Sequence, residues 1–183
     1  MMFFGETHKG NSLCFHGPIG SGAKTHLIWA LVNEKGSFNE CLICTYTNIP
    51  HRKDIIMNKE KIRLFLIDTN GQKKIILNFS QYQKMSDIIV FGYDITDKKS
   101  FEELKDIWVT KFYEKDNNKI YYLVGNKVDL VDKREVSKEE AEEFALANNF
   151  TFFEVSAFYY INVHELLSDF ILKSQTIKNP KYV

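Results

Sequence analysis

The chain has no surplus of either charge: 24 Lys+Arg stand against 24 Asp+Glu. Zero net charge gives no long-range pull toward nucleic acid or an anionic membrane, so neither is expected as a partner. Proline is scarce, with three residues in 183, and no Pro- or Gly-rich stretch divides the sequence. No interdomain linker is therefore expected, and the length suits one domain. Cysteine is equally scarce. Cys14, Cys41 and Cys44 form an odd set, and Cys41-Leu42-Ile43-Cys44 has no second Cys-x-x-Cys or His pair to complete a metal site. Buried or incidental reduced thiols are expected, and with them a cytoplasmic location. No run approaches the ~18 apolar residues of a membrane span. Met1-Met2-Phe3-Phe4 is too short for a signal sequence.

What is present is an ordinary globular composition, 44% hydrophobic with 15 Phe, so a Phe-rich core is expected. Short apolar runs recur at Ser12–His16, 62–67, 87–93, 120–124 and 151–155. Most are continuous rather than alternating, as in strands buried on both faces of a parallel sheet. A more polar run at 52–58 reads as an edge strand. Between the strands lie helical patterns. Phe101, Leu104, Trp108 and Phe112 recur at close to helical spacing, and Ser137-Lys138-Glu139-Glu140 has the form of a capping box. Val163, Leu166, Leu167, Phe170 and Ile171 share one side of a last helix that is expected to end near Ser174. Trp29 and Trp108 fall on apolar helical positions, as core residues do. The five histidines are scattered, without ligand spacing. Strands alternating with helices define an α/β layered fold, a six-stranded mostly parallel sheet with helices on both faces. In such folds ligands bind beyond the carboxyl ends of the strands.

Polar motifs stand at those ends. Beyond Ser12–His16 comes Gly17-Pro18-Ile19-Gly20-Ser21-Gly22-Ala23-Lys24-Thr25. A phosphate-binding loop is written G-x-x-x-x-G-K-[ST]: its glycines let backbone N–H groups converge on phosphate, the lysine adds charge and the hydroxyl binds magnesium. Gly17 to Gly22 has the spacing, but Ala23 separates the second glycine from Lys24. Counted back from Lys24 without a gap, Pro18 and Ala23 hold the glycine positions, so Ala23 is either inserted or a replacement. Beyond 62–67 comes Asp68-Thr69-Asn70-Gly71-Gln72. There Asp68 suits magnesium held through water, Gly71 a γ-phosphate contact and Gln72 an attacking water. Beyond 120–124 comes Gly125-Asn126-Lys127-Val128-Asp129. Asp129 can accept from guanine's ring N–H and amine together, Asn126 can tie the loop to the base, and the Lys127 stem can cover the ring. Ser156-Ala157, beyond 151–155, offers a backbone N–H to the guanine carbonyl.

These residues resemble the small GTPases of the Ras superfamily, and within it the Rab family. The resemblance covers roughly residues 12–172. It is carried by DTNGQ at 68–72, FGYDITDKKSFEELKDIW at 91–108, VGNKVDL at 124–130 and FFEVSAFYYINVHELL at 152–167. It implies a P-loop small-GTPase fold with five parallel strands, one antiparallel strand and five helices. The implied division is an N-terminal extension at 1–11, a G domain at 12–174 and a short tail at 175–183. It also implies GTP/GDP and Mg2+ as ligands. By the same resemblance Thr45 coordinates magnesium with Thr25 and Asp68, and Phe38 lies against the guanine face. Lys24 holds the β and γ phosphates, and Gln72 orients the hydrolytic water.

The implied protein is a monomeric switch that slowly hydrolyses GTP and regulates vesicle trafficking. Its partners would be effector, exchange-factor and activating proteins. The sequence departs from the family at Ala23 and Ile19 in the loop, at Thr45-Tyr46-Thr47-Asn48 in the first switch, at Lys73 and at Phe158. The Tyr46-Thr47-Asn48 run lacks the glycine that would let backbone reach the γ-phosphate. These departures leave a second reading open, a pseudo-GTPase interaction module that binds nucleotide weakly. A nucleotide kinase would share the phosphate loop but leaves NKVD and SA unexplained. No cysteine follows Cys44, so no lipid anchor is expected in this chain, and membrane recruitment would run through partners.

Overall fold

The computed structural model describes residues 12–18, 24–33, 50–57, 60–69, 83–114 and 119–178. Six strands form one sheet: β1 Ser12–His16, β2 Pro50–Met57, β3 Glu60–Asp68, β4 Ile88–Asp94, β5 Ile120–Asn126 and β6 Thr151–Val155. Their order is β2-β3-β1-β4-β5-β6. All pairings are parallel except β2 with β3, so the expected mixed sheet is the one observed. β1 and β4 are buried along their whole length because both faces carry helices, which is why their sequences run apolar without alternation. β2, with one neighbour only, has exposed Arg52, Asp54 and Ile56 alternating with half-buried positions. Across the β2–β3 pair, Arg63 and Lys61 hold the Asp54 carboxyl well below the usual carboxylate range.

Two apolar layers sandwich the sheet. On one face α1 (Thr25–Val32) and the last helix bring Leu27, Ile28, Leu31, Val163, Leu166 and Phe170 against Leu13, Phe15, Leu66, Val90 and Val124. On the other, Cys14, Phe91, Tyr93 and Leu123 meet Phe101, Leu104, Trp108, Ala141 and Ala145. The second helix, α2, is one rod of unequal pitch: α-helical Lys98–Glu103, π-helical Leu104–Val109 and a final α turn Thr110–Phe112. α3 (Lys138–Ala147) opens on Ser137, whose hydroxyl accepts from the Glu140 N–H at 3.1 Å. Only this half of the capping box forms, since the Glu140 carboxylate pairs with Lys98 instead. α4 (Val163–Lys178) runs four residues beyond its expected end at Ser174. Ser174 and Thr176 turn their hydroxyls inward to the carbonyls of Ile171 and Lys173, each at 2.8 Å, so these polar residues satisfy the helix rather than stopping it. Trp108 is fully buried as expected, whereas Trp29 is only half-buried, so its core assignment is corrected. Besides these four helices the described residues include helical residues 83–85 and a 3-10 turn at Val131–Lys133, and no helix among the described residues is long and apolar enough to cross a membrane.

At the end of β1, fully buried His16 stacks on Phe112, with ring centroids 4.5 Å apart and 3° between planes. The rings of Phe91 and Trp108 lie 6.1 Å away, and its Nε2 is 3.5 Å from Cys14 Sγ. Burial drives the imidazole pKa down to about 3, and the Lys24 charge adds to the effect. A base held neutral in the fold contributes stability above its unfolded value near 6.5, and that stability is lost as pH falls from there toward 3. At pH 5 the cost is about 2 kcal/mol. His16→Leu should flatten the fall in thermal stability between pH 7 and pH 5. Parallel melting curves for wild type and variant over that range would reject this.

Candidate functional site

Each candidate residue that the structure describes sits at the carboxyl end of a strand or the start of the helix beyond it, the crevice where a parallel sheet holds ligands. β1 delivers Gly17 with φ +156°, where an added Cβ would come within 2.3 Å of the Gly92 carbonyl oxygen. The chain leaves the sheet there pressed against β4, and only glycine fits. Lys24, at the start of α1, is buried and turns its ammonium back over this exit. Nζ donates to the carbonyls of Gly17 at 2.7 Å and Pro18 at 2.6 Å. Burial pushes its pKa down to about 8, while the carboxylates of Asp68 and Glu103 oppose the shift. An ammonium held by two neutral carbonyls in a desolvated loop is a cation well placed for an anionic ligand.

The next residue, Thr25, donates its hydroxyl to Asp68 Oδ2 at 2.7 Å. Asp68 ends β3 and is fully buried, and the parallel register Phe15↔Asp68 brings it beside the β1 exit. Thr69 ties β3 to the same place through a hydroxyl bond to the Phe15 carbonyl. A hydroxyl and a carboxylate meeting here are the hard oxygen donors that Mg2+ takes, so Thr25 and Asp68 fit that ion chemically. Gly20, Gly22, Phe38, Thr45, Gly71 and Gln72, with Ala23 and Ile19, lie outside the described residues.

A second group assembles at the ends of β5 and β6. The register Asn126↔Val155 sets Asn126 opposite the strand end that leads into Ser156-Ala157. Asn126 Oδ1 accepts the N–H groups of Lys127 at 2.8 Å and Ala157 at 2.9 Å, binding the two loops into one unit. The Ser156 N–H bonds the Ile161 carbonyl at 3.0 Å, so it faces the turn that follows it. Lys127 has φ +72°, a left-handed conformation that swings its side chain across the loop. Its Nζ lies 2.5 Å from Asp94 Oδ2. The other Asp94 oxygen accepts both the N–H and the hydroxyl of Thr96, which fixes the carboxylate as an anchor. Asp129 Oδ1 is buried and has no hydrogen-bond partner. A buried acceptor left unsatisfied costs about 1–3 kcal/mol.

Asp129 also lines a cavity of about 240 Å³, together with His26, Asn126, Lys127, Leu130, Ala157 and Phe158. The structure thus brings Asn126, Lys127, Asp129 and Ala157 together, and Gly17, Lys24, Thr25 and Asp68 together. Sequence reasoning missed three contributors. His26 and Phe158 enter the cavity because each directly follows a motif residue, Thr25 and Ala157, and that adjacency was the available signal. Asp94 had none, since its pairing with Lys127 depends on β4 and β5 lying in register at Asp94↔Asn126.

A family model described as the Ras family matches residues 15–176. Ras-related protein Rab-30 of Homo sapiens is 36% identical over 118 residues, which cover 64% of this chain and 58% of that protein. Ras-related protein RABC1 of Arabidopsis thaliana is 34% identical over 123 residues, covering 66% and 58%. Ras-related protein Rab5A of Oryza sativa subsp. japonica is 31% identical over 166 residues, covering 90% and 80%. The chain spans less than two thirds of the length of the first two relatives.

Proposed function

The chain belongs to the Ras family, and from that membership we propose that it is a Rab-like guanine-nucleotide switch that binds GTP and GDP with Mg2+ and slowly hydrolyses GTP. The observation that carries this reading is the Asp129 side chain lining a cavity together with Asn126, Lys127 and Ala157. Guanine presents two adjacent donors to such a carboxylate, and adenine does not.

In this reading Asp129 selects the base and Asn126 keeps its loop joined to the Ala157 turn. Lys24 exchanges its two carbonyl acceptors for β- and γ-phosphate oxygens, while Gln72 orients the water for in-line attack. Gly17, Gly20, Gly22 and Gly71 bring backbone close to the phosphates, Phe38 covers the base, and Ser156-Ala157 lies at its carbonyl edge. Mg2+, held by Thr25, Thr45 and Asp68, would neutralise charge on the phosphates. The γ-phosphate would order the segments around Thr45 and 68–85, and its loss would release them to effector, exchange-factor and activating proteins. Control of vesicle trafficking from the cytoplasm, as a monomer recruited to membranes through partners, completes the proposal.

The test is uptake of a fluorescent GDP analogue in magnesium buffer. Saturable uptake that unlabelled GDP displaces is expected, and none at all would end the reading. A second reading, an interaction module that does not cycle, draws on the two carbonyls that hold Lys24, since phosphate must displace both. It wins if nucleotide binds, GTP turnover is absent and Gln72→Leu changes nothing.

A further inference from the structure

We propose that Asp94 is a positioning residue of the base site: by holding the Lys127 ammonium it sets how long a guanine nucleotide stays bound. The proposal rests on the guanine-nucleotide reading above. Asp94 is buried and is not among the described residues that line the cavity, so it reaches a ligand only through Lys127, which does line it. The backbone around Lys127 is pinned on both sides. The Asn126 carbonyl accepts the Ile95 N–H at 3.1 Å, the Val128 N–H goes to the Val155 carbonyl at 3.2 Å, and the Leu130 N–H goes to the Lys127 carbonyl at 2.9 Å. β4 and β5 press together at this level, since a Cβ on Gly125 would come within 2.7 Å of the Tyr93 hydroxyl oxygen. The loop thus has a fixed place. What its backbone leaves open is the direction of a long side chain that is 35% exposed.

That direction is set by a carboxylate with little freedom of its own. Asp94 Oδ1 accepts the Thr96 N–H at 2.9 Å and the Thr96 hydroxyl at 2.7 Å, while Oδ2 meets Lys127 Nζ at 2.5 Å. The Asp94 main chain is held as well, its N–H by Ser100 Oγ at 3.1 Å and its carbonyl by the Asp97 N–H at 3.1 Å. A lysine loses much rotamer freedom when it is fixed, and here that cost falls before any ligand arrives. With the head tied to Asp94, the hydrocarbon stem is the part left to lie against a planar base. Once untied, the strongly hydrated ammonium would draw the stem toward water, and a base uncovered on that side departs sooner. Entry into the cavity does not depend on the tie, so the effect falls on release.

The test uses the full chain with Mg2+ and follows binding and release of fluorescent GDP and GTP by wild type, Asp94→Asn, Lys127→Met and the double variant. Asp94→Asn keeps the shape and removes the charge, and an amide that still accepts from Thr96 turns its NH2 toward the ammonium. Each single variant should release nucleotide about tenfold faster, the worth of one charge-assisted bond, with association within about twofold of wild type. The factor should be the same for GDP and GTP, since the base is common to both. In the Lys127→Met background Asp94→Asn should add less than about twofold, because its effect runs through the lysine. Melting curves check that the variants fold. Should Asp94→Asn fail to fold, Thr96→Val, which removes one of the two bonds that fix the carboxylate, should speed release about threefold. Release from Asp94→Asn (or from Thr96→Val in its place) at the wild-type rate overturns the proposal while leaving the nucleotide site standing. So does a full tenfold effect of Asp94→Asn in the Lys127→Met background, which would assign its role to the start of α2. A wild-type protein that takes up no guanine nucleotide ends both readings.

Discussion

Asp129→Asn should weaken GDP binding by about 10²- to 10⁴-fold and turn the preference of the site toward xanthine nucleotides. The range follows from two hydrogen bonds to a charged acceptor at roughly 1.5–3 kcal/mol each. An asparagine would set its NH2 against one of guanine's two donors, leaving a donor facing a donor. Xanthine carries a carbonyl where guanine has its amine, so it can accept from that NH2 while its ring N–H donates to the amide oxygen. The nucleotide-free variant should keep its fold, since Asp129 Oδ1 makes no hydrogen bond that the substitution would break, and a melting curve checks this. Competition between fluorescent GDP and unlabelled GDP or XDP reads out the switch. Unchanged guanine selectivity would reject the base-site assignment.

Lys24→Met should cost at least about 100-fold in GDP affinity, and more for GTP, which adds a second phosphate contact. Methionine keeps the apolar stem and removes only the ammonium. The carbonyls it abandons, those of Gly17 and Pro18, are buried, so some stability is lost as well, and a melting curve beside the titration checks that the variant folds. Lys24→Arg should not rescue, since a planar guanidinium is too wide for a buried position fitted to a point charge. Titration with GDP and GTP decides. An affinity within threefold of wild type would mean that Lys24 stays on its carbonyls and off the phosphates.

The strands were legible because burial on both faces writes itself as an unbroken apolar run, as in Ile88–Asp94 and Ile120–Asn126. The π-helical stretch was not. Phe101, Leu104, Trp108 and Phe112 recur at a spacing that α-helix satisfies, and nothing in that spacing marks the wider pitch of Leu104–Val109. The last helix was expected to end near Ser174, but it continues to Lys178, with the hydroxyls of Ser174 and Thr176 bonded to the helix's own carbonyls. At the site, Asp129, Asn126 and Lys24 could be named because their residue types limit what they can do. The anchoring of Lys127 by Asp94 joins residues on neighbouring strands, a relation that register creates and composition does not carry.

The order β2-β3-β1-β4-β5-β6 has a consequence for how such a protein can diverge. The group at the ends of β1 and β3 and the group at the ends of β5 and β6 stand on opposite halves of the sheet, with β4 between them. Each half is organised by its own contacts: Lys24 and Thr25 close on Gly17 and Asp68, while Asn126 closes on Ala157. Substitutions in the first half can therefore accumulate without unseating the second. A lineage can trade away turnover and keep guanine as a ligand, using it as a structural plug that reports its own concentration.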